Sequence, residues 1–161
     1  MAAGDLGSGG SAFSPNGDWI VYRASTTPAG ELFIKPFPDT GTEIQITETS
    51  GSYPMFSLDG SRMFYRRGFV STLQGGGLGQ EFVAVDILSL DGIPQWTNER
   101  ILPIEGFQIF NGSRDYDITP DGQRFLMIFP VGNVGSEEAP RVQIGVAVNW
   151  YQQLLERVPV D

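Results

Sequence analysis

Short apolar runs recur along this chain, broken by polar clusters rich in Gly, Pro, Asn and Asp. Ile20 with Tyr22 and Leu32 with Ile34 show a period of two, which is the mark of a strand with one face turned inward. Read this way, the first third predicts strands at Ser11–Ser14, Trp19–Ala24, Glu31–Pro36 and Glu43–Thr47. The middle predicts Tyr53–Ser57, Arg62–Arg67, Glu81–Ile87 and Thr97–Ile101, and the last part Asp115–Thr119, Arg124–Phe129 and Arg141–Val148. The period then changes. Trp150 and Leu154 share one helical face, with Tyr151, Leu155 and Val158 beside it. Asn149 is a suitable N-cap, Gln152 completes a capping box, and Pro159 stops the run. This predicts a short amphipathic C-terminal α-helix over 150–158, packed on the last strands or docking a partner.

Three segments inside this pattern are copies of one another: Ala12–Arg23 (AFSPNGDWIVYR), Met55–Arg66 (MFSLDGSRMFYR) and Asp117–Ile128 (DITPDGQRFLMI). Each has an apolar residue, Ser or Thr, one variable residue, Asn or Asp, Gly, and then a second apolar run. Asn-Gly or Asp-Gly between apolar runs is a hairpin signal, because the tight turn needs positive φ and Gly accepts it. The hydroxyl can bond nearby backbone and hold the turn. Asn16-Gly17, Asp59-Gly60 and Asp121-Gly122 are therefore expected to be structural turns. Phe13 and Phe56 stand 43 positions apart, the length of one four-stranded propeller blade of about 40–45 residues. Phe56 and Ile118 stand 62 apart, so the second unit carries an insertion.

The repeat resembles that of TolB-type, WD-repeat-like β-propellers, from about residue 11 onward. Glu31–Pro38, Gly51–Pro54, Tyr116–Leu126 and the ending Val146–Leu155 resemble more narrowly the last blades of the propeller at the C-terminus of bacterial serine/threonine kinases. Asn16 for Asp and Leu58 for Pro are the departures, and neither disturbs the turn. The resemblance implies a ligand- or protein-binding propeller, lying outside the cytoplasm if a membrane anchor precedes it and soluble in the cytoplasm otherwise.

The fold expected is all-β: about three four-stranded antiparallel blades, a half-propeller. The blades would cover about 11–50, 51–106 and 107–149, after a flexible Gly/Ser/Ala-rich lead-in over 1–10. Twenty-one Gly and eleven Pro suit a fold with frequent turns. The start lacks the pattern of a signal peptide, and no long apolar run predicts membrane insertion.

Composition narrows the chemistry. There is no Cys and no His, so a Ser-His-Asp triad cannot form within this sequence, and the commonest metal ligands are missing. The formal net charge of −9 with ten basic residues disfavours nucleic acid and anionic membrane surfaces. Gly75-Gly76-Gly77-Leu78-Gly79 lacks the Lys and the following helix of a phosphate-binding loop, and reads as a surface loop. Glu137-Glu138 has no third ligand in view and reads as a solvated loop. No cofactor and no metal are expected.

Three blades do not close a ring, since propellers use roughly four to eight. An open set would leave blade faces bare. Either further blades of a longer chain cover them, or two copies make a six-bladed homodimer, with residues near the N-terminus lending a strand to the partner's last blade. Residues starting the innermost strands would lie near the channel mouth: Ser52, Tyr53, Arg114, Asp115 and Tyr116. Tyr and Arg there suit recognition of a protein or small molecule, although Tyr53 and Tyr116 would equally well pack between blades. The alternative is the gating propeller of a peptidase-type hydrolase, but no Gly-x-Ser-x-Gly elbow is present. A glycosidase would need paired carboxylates, and Asp115 and Asp117 are expected on opposite sides of their strand. The reading is a non-catalytic module.

Overall fold

The structure is a computed structural model that describes residues 6–24, 30–68, 81–104, 107, 114–131 and 141–148. All regular structure among them is antiparallel strand. The expected helix over 150–158, the glycine-rich segment over 75–79 and Glu137-Glu138 lie outside the described residues. The chain divides into two compact units, Met1–Leu102 and Pro103–Asp161.

The first unit holds two blades. Blade one is the ordered sheet β1 (Leu6–Phe13), β2 (Trp19–Ala24), β3 (Glu31–Pro36) and β4 (Ile44–Gln45). β2 and β3 match the expected bounds. β1 begins five residues earlier than expected, so much of the expected lead-in is strand, paired with β2. It is thus the first strand of its own blade and is not spare for a partner's last blade. Blade two has β5 (Ser52–Phe56), β6 (Arg62–Arg67) and β7 (Glu81–Ser89), with β8 (Gln95–Trp96) and β9 (Arg100–Leu102) both pairing β7. The single outer strand expected at Thr97–Ile101 is therefore split. Thr97 at the break binds Asp86 twice, its N–H donating to the carbonyl and its Oγ1 accepting from the amide. Glu99 turns aside to pair with Arg67.

The second unit holds one three-stranded sheet, β10 (Tyr116–Ile118), β11 (Arg124–Val131) and β12 (Arg141–Val148).

The three turn motifs fold alike. Gly17, Gly60 and Gly122 have φ of +79°, +71° and +67°. Each donates its N–H to the carbonyl of the Ser or Thr three residues before, at 2.9, 3.0 and 2.8 Å. The hydroxyls of Ser14, Ser57 and Thr119 accept from the amides of Trp19, Arg62 and Arg124 across the hairpin and donate to Asn16, Asp59 and Asp121. One hydroxyl thus fastens both arms of the hairpin to its turn.

The core of the first unit lies between its blades. Trp19, Val21, Leu32 and Ile34 of blade one pack with Phe56, Met63, Tyr65, Val83 and Val85 of blade two. Val21, Leu32, Tyr65, Val83 and Val85 are wholly buried. The Trp19 indole donates to the Leu90 carbonyl at 2.8 Å, a hydrogen bond between blades. The strands survive as strands because each alternates between this seam and the blade's opposite face.

A second repeated feature bends the first strand of each blade. The β1–β2 register shifts between Leu6 and Ser11, and the β5–β6 register between Ser52 and Met55. Gly10 and Tyr53 sit in these two shifts, at equivalent repeat positions, with φ of +78° and +53°. A left-handed residue at a bulge is ordinary for Gly and strained for Tyr.

Two predictions follow from this geometry. Hydrogen bonds from Ser57 and from the Ser61 amide hold the Asp59 carboxyl below the ordinary aspartate range. Thr119 and the Gln123 amide do the same for Asp121. A lowered folded pKa contributes stability above the unfolded value of about 3.9 that is lost as pH falls through the folded one. Urea midpoints should therefore fall below about pH 4, and the Asp59→Asn, Asp121→Asn double variant should show a shallower acid limb, since Asn16 holds the same turn without titrating. An unchanged acid limb would count against these turns. At the bulge, Tyr53→Gly should be more stable than Tyr53→Ala by about 1 kcal/mol in chemical denaturation, the reverse of the order in an ordinary strand.

Candidate functional site

The residues expected at the channel mouth fall into two groups, each within its own unit. In the first unit, Ser52 and Tyr53 open β5. The half-buried Ser52 donates its hydroxyl to the Arg66 carbonyl at 3.5 Å. Tyr53 is buried, and the Arg66 guanidinium carbon lies 4.2 Å from its ring centroid. That spacing is within reach of a cation–π attraction, strongest where both partners are out of water, and Arg66 is only 3% exposed. The other side of the ring approaches blade one: a Cβ on Gly10 would stand 3.1 Å from Tyr53 Cδ1. Tyr53 is thus held between Gly10 and Arg66, with its strained backbone aiming the ring into that gap. This is packing between blades, the bland role weighed for it from sequence.

Arg66 was not among the residues singled out by sequence. Its signal was the Tyr-Arg pair that ends two copies of the motif, Tyr22-Arg23 and Tyr65-Arg66. Next to it, Tyr65 is wholly buried, and burial, with Glu99 nearby, pushes its phenol far above the ordinary tyrosine value. Its neighbour Arg67 pairs with Glu81 at 2.7 Å and with Glu99. Tyr65 therefore stays protonated and has no use as a base.

In the second unit, Arg114 and Asp115 immediately precede β10 and Tyr116 begins it. The three line one open cleft of about 300 Å³ together with Asp117, Leu126 and Ile128. Tyr116 pairs with Met127 and Asp117 with Leu126 across β10–β11, which brings the members from β11 into place. Arg114 and Asp117 are exposed, Asp115 is half-buried and Tyr116 buried. The expectation that Asp115 and Asp117 face opposite sides fails. Residues two apart along a strand share a face, and both carboxylates line this cleft.

The cleft offers one cation, two carboxylates, a phenol and an aliphatic floor. That set can orient a peptide or small polar ligand by hydrogen bonds and hold its apolar part. It lacks a nucleophile paired with a base. Among the described residues no three His, Cys, Asp or Glu side chains gather as metal ligands.

No family model and no curated protein matches the sequence. Solved structures do. The chain is similar to a protein assigned as TolB from Agrobacterium tumefaciens, with 15% identity and a TM-score of 0.55, over 86% of this chain and 44% of that one. TolB from Acinetobacter baumannii gives 18% identity over 86% of this chain and 40% of that one, at a TM-score of 0.38, too low to add to the comparison. This chain thus spans less than half the length of the first structure, and its fold is that of part of a TolB-like β-propeller.

Proposed function

We propose that this chain is a non-catalytic recognition module, working as part of a six-bladed propeller ring and binding a protein segment or small molecule where its innermost strands begin. The supporting observation is the cleft of Arg114, Asp115 and Tyr116: charges of both signs over an apolar floor, at the start of the innermost strand of a blade. Propellers present such strand ends at their channel mouths. Function does not follow from fold, so the reading rests on the side chains there. The likeness of the last blades to the propeller of bacterial serine/threonine kinases makes the sensing end of a receptor a specific form of this reading. Ser52 and Tyr53 enter it through the first unit, Ser52 as a polar group at a strand start and Tyr53 chiefly as its support.

A second reading uses the same cleft. The module would gate a peptidase-type hydrolase whose catalytic domain lies outside this sequence, with the mouth admitting substrate instead of holding ligand. It demands rapid release of peptides, whereas a receptor retains them.

The test is an immobilised panel of acidic, basic and apolar peptides, read by surface plasmon resonance against the chain and its variants. Recognition predicts retention by a subset of peptides. Arg114→Ala and Tyr116→Phe should weaken it about 10-fold, in line with loss of one charge-assisted or neutral hydrogen bond, with unchanged unfolding midpoints. Chromogenic peptide and glycoside substrates should show no turnover above buffer. Turnover abolished by Asp117→Asn would overturn the non-catalytic reading.

A further inference from the structure

The repeat gives every blade the same two faces, and in the first unit one of each kind meets. Face A of blade one carries Trp19, Val21 and Ile34, and it covers face B of blade two, which carries Phe56, Met63, Tyr65, Val83 and Val85. The pairing registers carry both faces onto the other blades. Phe13 pairs with Ile20 as Phe56 pairs with Met63. Tyr22 pairs with Phe33 as Tyr65 pairs with Val83, and Ile20 with Lys35 as Met63 with Val85. Phe13, Ile20, Tyr22, Phe33 and Lys35 are therefore the B face of blade one.

That face is built like a seam and is not sealed like one. Phe13 is 55% exposed where Phe56 is 8%. Ile20 and Phe33 are half-buried where Met63 and Val83 are closed off. Its rings rest on one another instead: Phe13 on Phe37 edge-on at 5.1 Å, and Tyr22 on Phe33 at 6.3 Å. The last blade, taken by itself, shows the opposite case. Its B positions Phe125 and Met127 are buried. Its A positions are Asp117, Leu126 and Ile128, and Leu126 is 44% exposed where the equivalent Val21 is wholly buried.

We propose that the B face of blade one is a docking surface for a second copy of this chain, which presents the A face of its last blade. This rests on the ring-forming propeller reading above and names the partner that completes it. The second copy is chosen because the chain carries one bare face of each kind, and these are the two halves of the A-on-B seam already formed between blades one and two. The charges agree. Lys35 stands on the B face where blade two has Val85, and Asp117 on the A face where blade one has Ala12. Two copies related by a two-fold axis make two such seams and join three blades to three. Leu126 and Ile128 would lie beneath the seam, while Arg114 and Asp115, ahead of β10, stay at its rim. The recognition cleft is then finished by the partner's blade one.

Light scattering after size-exclusion chromatography tests this on the whole chain. The expected species has twice the 17.6 kDa chain mass. Phe13→Glu and Leu126→Glu each place a charge on an exposed position, so the strand spectrum by circular dichroism should not change. Each should weaken the dimer on the order of 100-fold. Mixing the two variants leaves one seam intact and should restore a weaker dimer. A monomeric unsubstituted chain overturns the proposal, as does a dimer broken by Phe13→Glu alone, which would mean that like faces meet. A mixture as monomeric as its parts overturns the A-on-B pairing. Peptide retention on the same samples separates the two readings. A monomer that retains peptides removes the second copy and keeps recognition, and a dimer that retains none does the reverse.

Discussion

A blade of this repeat is apolar on both faces, and no blade can bury both within itself. That constraint orders everything else in the first unit. Blade one turns Trp19, Val21 and Ile34 onto Phe56, Met63 and Tyr65 of blade two, and the seam so made removes from water several large side chains worth roughly 1.5–3 kcal/mol each. The remaining faces inherit the same need. Apolar surface on a flat sheet face stabilises nothing until another face arrives, so a propeller blade is a unit of assembly more than a unit of stability.

The turns make the seam possible by fixing register. A slip of one residue in β1–β2 would send Phe13 to the side where Ala12 stands and reverse both faces at once. The Ser14, Ser57 and Thr119 hydroxyls prevent this by tying each hairpin to its own turn from both sides. Asn16, Asp59 and Asp121 then hold the hydroxyl in place. These bonds are on the surface and individually modest. Their effect lies in choosing which face each apolar residue joins.

Much of this was legible in the sequence, and the reason is local. The turn chemistry sits within a few residues, so Asn16-Gly17, Asp59-Gly60 and Asp121-Gly122 announced three hairpins, and β2, β3 and β6 came out at their expected bounds. What was illegible depended on pairing at a distance. Leu6–Gly10 reads as a flexible lead-in because Gly and Ser have low strand propensity, yet β2 offers them a ladder to complete. The outer strand of blade two breaks because Thr97 and Glu99 find partners in Asp86 and Arg67, which lie on neighbouring strands. The candidate site was half legible. Arg114, Asp115 and Tyr116 do share a cleft, but its other members come from Asp117 and from β11, and the Arg66 that pins Tyr53 is a repeat signal that single-residue reasoning passes over.

Tyr53 shows how the repeat and its use can pull apart. The first strand of each of the first unit's blades bends at one position, and a left-handed residue is needed there. Blade one meets the need with Gly10 at no steric cost. Blade two has a tyrosine, which strains the backbone by about 1–2 kcal/mol. The offset is visible: the ring fills the space over Gly10 and lies against a buried guanidinium. The two positions are thus complementary as well as equivalent. A side chain at residue 10 would take the room that the Tyr53 ring occupies, and a glycine at residue 53 would leave Arg66 buried without its aromatic partner. The same bend in two successive blades is therefore solved once by removing a side chain and once by adding a large one, and the two solutions fit only each other.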